Sequence, residues 1–130
     1  MEDTLFLVLL IKSDHLSRSD LGALMSFDSM EYDDIKEVSP AFRRRVRSMS
    51  WQFDTHFNKS LDVNLHWNEL KVRLPEPSVL HNLAQTCEIN LLVRGKFHTM
   101  SPLVEFSRET LAMIASYGFG LGYDITDHTE

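Results

Sequence analysis

The sequence predicts a single α+β domain. The expected architecture is a four- or five-stranded sheet built from two β-α-β units joined by a bent helix pair, with helices mainly on one face. Three observations carry that prediction. The chain has 130 residues, enough for one compact domain and too few for two ordinary ones. Apolar residues make up 43% and charged residues 25%, the balance of a globular protein with a core. Short apolar or alternating runs also trade places with helix-period stripes, in the order strand, helix, strand, two helices, strand, helix, strand.

The elements follow in turn. Residues 5–11 (LFLVLLI) are apolar throughout and too short for a free-standing helix, which suits a strand covered on both faces. The run is also far short of the roughly 20 residues needed to cross a bilayer. Glu2 and Asp3 precede it where a secretory signal wants basic residues. Ser17 and Ser19 can cap a helix, and Asp20 supplies an acid to its positive end. Leu21, Leu24 and Met25 then predict a short helix over 19–26. Residues 27–49 hold no strong period and contain a Ser39–Pro40 step, so a long connection is expected there.

Residues 50–57 (SWQFDTHF) give the cleanest strand pattern. Trp51, Phe53, Thr55 and Phe57 fall on one face, expected in the core, and Gln52, Asp54 and His56 on the other, expected to be wet or functional. Ser60 or Asp62 can cap a helix with Val63, Trp67, Leu70 and Leu74 as its apolar stripe. Pro75 and Pro77 end that helix, and Pro77 suits the first turn of the next. Val79, Leu80, Leu83, Ala84 and Cys87 line one face of this second segment. Residues 88–93 read as a central strand, Gly95–Lys96 as a turn, and 103–106 as a short strand. Ser107 caps a last helix with Leu111, Ile114 and Ala115 inward, and Gly118 stands at its left-handed end. In the final strand Phe119, Leu121, Tyr123 and Ile125 alternate with Gly120, Gly122 and Asp124. The whole chain, 1–130, reads as one domain, frayed at 1–4 and 127–130.

Charge is placed unevenly. The net charge is −6, which argues against a dedicated nucleic-acid binder. Residues 1–35 hold eight acids and two bases, and 36–59 hold six bases and two acids. Arg43, Arg44, Arg45 and Arg47 in that basic stretch are read as neutralising their acidic neighbours. Asp28, Glu31, Tyr32, Asp33 and Asp34 form the candidate partner-binding segment, with Tyr32 as aromatic anchor.

No catalytic motif stands out. The six histidines, at 15, 56, 66, 81, 98 and 128, are scattered singly, without metal-site spacing to one another or to Cys87. That lone cysteine excludes an internal disulfide and fits a reducing cytoplasm. Gly118-x-Gly120-x-Gly122 runs into a strand and so does not open a phosphate-binding helix. Trp51 and Trp67 read as core anchors. Asp54 and His56 are candidates for a pocket or a secondary contact. The expectation is a non-enzyme without metal or cofactor. Two alternatives stay open. One is a ligand-binding protein or enzyme, with a pocket between sheet and helix pair lined by His56, Asp54 and the arginines. The other is a module that self-associates through an edge strand such as 50–57.

The motifs resemble one bacterial family. Ser50–Trp51, Leu65–His66–Trp67, Leu70, Leu74–Pro75–Glu76–Pro77, Leu80 and Leu83 look like its central part. Phe106–Ser107, Leu111, Ile114–Ala115, Tyr117–Gly118, Leu121 and Asp124 look like its ending. The family is catalogued as a domain of unknown function, series four-two-seven-nine, and the resemblance runs over residues 50–126. Members usually carry an aliphatic residue where Tyr117 stands, and the 27–49 connection is long by comparison. The resemblance implies a stand-alone cytoplasmic bacterial protein. Small acidic proteins of this sort often serve as immunity partners of toxins. The expected function is therefore binding and neutralising a cognate toxin domain, such as a basic nuclease, by occluding its active surface. The expected state is a monomer or weak homodimer, with neither nucleic acid nor membrane as direct partner.

Overall fold

The computed structural model describes residues 2–16, 18–25, 31–35, 48–99 and 104–128, with the backbone alone described at 18, 31–35 and 48–50. Among the described residues nine elements follow in order: β1 (Thr4–Ser13), α1 (Arg18–Met25), β2 (Glu31–Ile35), β3 (Ser48–Asp54), α2 (Val63–Lys71), α3 (Pro77–Leu83), β4 (Glu88–Phe97), α4 (Arg108–Tyr117) and β5 (Gly120–Asp127). The described strands form one mixed sheet in the order β2-β3-β1-β4-β5. The α+β class stands, with β2 as the fifth strand.

That fifth strand lies inside the expected long connection, and it changes how the first β-α-β unit closes. β3 is antiparallel to β1, so the two cannot be the ends of one parallel crossover. β2 is antiparallel to β3 and therefore runs parallel to β1. The unit is β1-α1-β2, with β3 inserted between its strands. The second unit, β4-α4-β5, is parallel as expected. The bent helix pair carries the chain from β3 to β4 across β1.

β1 is the centre of the sheet because its run is apolar on both sides. Leu5, Leu7, Leu9 and Ile11 point to the helix-bearing core, and Val8 on the opposite face is fully buried as well. Leu9 stands between Phe53 and Leu91, and Ile11 between Trp51 and Ile89, so the register aligns large side chains on one face. α1 adds Leu21 and Met25 to that core, α2 adds Val63, Trp67 and Leu70, and α3 adds Leu80 and Leu83. Ile114 and Tyr117 of α4 complete it.

Local chemistry sets the helix ends. Asp62 caps α2 by accepting from the Asn64 amide. Pro77 opens α3. Ser107 caps α4 by accepting from the Thr110 amide, and Gly118 ends it at φ 77° with the His81 ring against it. Cys87 is buried, but it lies beyond α3 rather than on it.

Four further expectations are corrected. Gly95 is no turn: it lies within β4, paired with Leu5, where a Cβ would come within 2.8 Å of the Thr4 carbonyl oxygen and 3.0 Å of the Phe97 ring. The inner face of α4 is Thr110, Ile114 and Tyr117, whereas Leu111 and Ala115 are exposed. In β5, at an edge of the described sheet, Leu121 and Tyr123 are exposed; Ile125 packs on the core, as does Phe119 just before the strand. Of the 103–106 segment, 104–106 are not a strand, and residue 103 lies outside the described residues, as do Ser17 and the four arginines 43–45 and 47.

The approach to β1 is fixed by a carboxylate. Asp3 accepts from the backbone amides of His98 and Thr99 at 2.6 and 2.9 Å, and from the Thr99 hydroxyl at 2.6 Å. The Thr99 hydroxyl bond, followed by the two amide bonds, lowers the Asp3 pKa from 3.8 to about 2. A depressed folded pKa gives stability that is present above the ordinary value and is lost as pH falls through the folded one. Unfolding midpoints should therefore drop between about pH 4 and pH 2, with a shallower drop in Asp3→Asn.

Candidate functional site

β3 ends in a turn that gathers most of the described polar chemistry. Thr55 continues the pairing with β1 by side chain as well as backbone. Its amide donates to the Leu7 carbonyl, and its hydroxyl accepts from the Leu7 amide, both at 3.0 Å. The hydroxyl in turn lies 2.7 Å from Nδ1 of His66, whose Nε2 lies 2.7 Å from the Ser60 carbonyl oxygen. A carbonyl can only accept, so Nε2 carries the proton and Nδ1 accepts from Thr55. Thr55 and His66 are fully buried with every polar side-chain atom engaged. The network ties the β3–α2 loop to both neighbouring elements, and His66 is thereby a structural residue.

Beside it lies a second histidine of different character. Asp54, the last residue of β3, is buried, and its Oδ1 accepts from the His56 amide at 3.1 Å and from the His56 ring at Nδ1. The imidazole is 60% exposed and lies edge-on to Phe6 and to Phe57. Arg73 stacks over the Phe53 and Phe57 rings and bonds Glu69, closing the outer side of this turn.

The imidazole opens on a cavity of about 800 Å³ formed by the start of β1, the β3–α2 loop and Thr99. Leu5, Phe6 and Leu61 line it together with the polar residues Glu2, Asp3, Asn58 and Lys59. Asp54 and His56, singled out from the alternation of 50–57, are thus brought together. Two details differ from expectation. Asp54 is buried rather than wet, and the cavity lies at the end of the sheet rather than beneath the helix pair. The arginines expected to line it lie outside the described residues. Among the described residues, no group of three or more His, Cys, Asp or Glu is gathered to hold a metal ion.

The acidic segment lands elsewhere. Glu31, Tyr32, Asp33 and Asp34 belong to β2, at one edge of the described sheet, and Asp28 lies outside the described residues. Glu31 pairs with Gln52, Asp33 with Ser50 and Asp34 with Met49, and among the described residues β2 pairs with no second strand. The edge role considered for 50–57 fails, because β3 is paired with β2 on one side and β1 on the other.

Sequence reasoning missed the buried His66–Thr55 pair. His66 sits one position before Trp67 on the apolar stripe of α2, and a histidine on such a stripe is a signal for a buried hydrogen-bonded partner. Among the described residues, no helix is long and apolar enough to cross a membrane. No curated protein and no solved structure matches this chain. The model of one uncharacterised family matches residues 3–128, and so spans every described strand and helix; the chain belongs to that family, the domain of unknown function DUF4279.

Proposed function

We propose that this protein is a bacterial, cytoplasmic interaction protein that binds and neutralises a basic toxin domain. It acts by occlusion rather than by catalysis. The observation that carries this proposal is the position of the acidic segment: residues Glu31–Ile35 form an edge strand of the described sheet. An edge strand presents unpaired backbone groups to another chain, and acids along it disfavour pairing with a second copy of itself. A basic surface meets no such penalty. Glu31, Asp33 and Asp34 would take up the cationic groups that otherwise hold the toxin's substrate, and complementary charge would speed encounter. Tyr32 would supply the aromatic anchor.

The prediction includes a toxin-like protein encoded beside this one, and the test is charge reversal measured against it. Asp33→Lys with Asp34→Lys should weaken binding by about a hundredfold and flatten its salt dependence. Unchanged affinity would remove β2 from the interface. A neighbourhood encoding only metabolic enzymes would overturn the immunity role itself.

A further inference from the structure

The two edges of the described sheet differ in what they offer another chain. β2 carries three acids in five residues, whereas β5 (GLGYDITD) opens on four uncharged residues and holds neither proline nor lysine. Charge, proline, a bulge or a covering element usually guards an edge strand. β5 pairs with β4 in unbroken register over its whole length, and among the described residues with no second strand. Its side chains are also uncovered. Leu121 is 39% and Tyr123 57% exposed, although their partners on β4, Leu91 and Val93, are fully buried. Both therefore stand on the helix-bearing side, beyond the rim of the core. α4, which joins β4 to β5, leaves Leu111 and Met113 exposed on the two flanks of its buried stripe.

A two-fold interface requires a surface that complements itself. β5 meets that condition about Gly122. In an antiparallel pair with Gly122 opposite the partner's Gly122, Leu121 lies opposite the partner's Tyr123 and Asp124 opposite the partner's Gly120. Each large apolar side chain meets another, and no acid meets an acid. Asp124 also has Arg94 of its own chain at 3.6 Å. The same operation on β2 fails: about Tyr32 it sets Glu31 against the partner's Asp33, and about Asp33 it sets that residue against itself.

We propose that a second copy of this chain covers β5, pairing antiparallel with it about Gly122 and joining the two described sheets edge to edge. The two-fold axis is normal to the sheet, so both helix layers lie on one side and a flank of each α4 faces the other copy. The shared ladder is about 20 Å long, and sheet plus helix layer about 20 Å deep, so each copy contributes on the order of 400 Å². A standard interface buries about 800 Å² a side. The dimer is accordingly weak, with a Kd of roughly 10–300 μM. It leaves β2 at the outer end of each copy and does not rest on the role proposed for that strand.

Sedimentation velocity of the full chain from about 5 to 500 μM tests this. The weight-average mass should climb from that of one chain toward that of two. Tyr123→Lys should raise the Kd at least about tenfold, and Leu121→Lys should do the same, each with an unfolding midpoint near that of the unsubstituted chain because both side chains are exposed. Asp33→Lys with Asp34→Lys should dimerise as before, which separates this surface from the acidic edge. Hydrogen exchange of the unsubstituted chain should slow with concentration at Gly120–Asp127, and this readout stands even where a lysine variant fails to fold. A mass of one chain throughout the range would overturn the proposal. So would a dimer that survives both lysine substitutions, or concentration-dependent protection at Glu31–Ile35 in place of β5.

Discussion

Thr55→Val should cost about 2–4 kcal/mol of folding stability, although it removes no more than one hydroxyl from a fully buried site. Valine keeps the shape. It leaves the Leu7 amide without its acceptor and His66 Nδ1 without its donor. Each stranded buried group costs about 1–3 kcal/mol in desolvation, which outweighs the small gain from a more apolar side chain. His66→Ala should cost at least as much, because it adds a cavity and frees the Ser60 carbonyl. The double variant should be less damaging than the sum, since both changes break one network. Denaturant unfolding of the four proteins gives that cycle. Additive losses would show that the two side chains do not act together.

Trp67→Ala should be the most damaging single change in α2, at about 3–5 kcal/mol. Trp67 is 1% exposed and meets Tyr117 edge-on, with ring centroids 5.9 Å apart and planes at 75°. Trp67→Phe should cost far less, under about 2 kcal/mol. Among the described residues its buried indole N–H has no hydrogen-bond partner, so the smaller ring removes an unpaired donor along with the lost area. A phenylalanine variant as unstable as the alanine one would mean that the N–H is in fact paired. Thermal or denaturant midpoints distinguish the two.

Much of the fold was legible because packing follows hydrophobic period. The run at 5–11 marked the central strand, and Val63, Trp67 and Leu70 marked the buried face of α2. The prolines and Ser107 marked helix starts for steric and capping reasons that neighbours cannot override. β2 was not legible: EYDDI has three acids in five residues, and only its edge position makes such a strand acceptable. The phase of α4 slipped by one for a related reason. Leu111 is the more apolar residue, but Thr110 goes inward with its hydroxyl bonded to Ser107 Oγ at 2.9 Å. Period alone cannot tell a satisfied polar group from a wet one. The same ambiguity put Asp54 on the wet face, when in fact its carboxylate is buried beneath His56. At the site, alternation brought Asp54 and His56 together, but the cavity that His56 lines depends on the start of β1 and on Thr99, distant in the chain.

The central proposal is that the acidic edge strand is the surface a partner covers. Hydrogen exchange at the amides of Glu31–Ile35, free and in complex with the proposed basic partner domain, tests it most directly. Protection concentrated on these residues, with the other sheet edge at Gly120–Asp127 unchanged, is the predicted result. Protection at β5 or around the His56 cavity, with β2 exchanging as in the free protein, would contradict it.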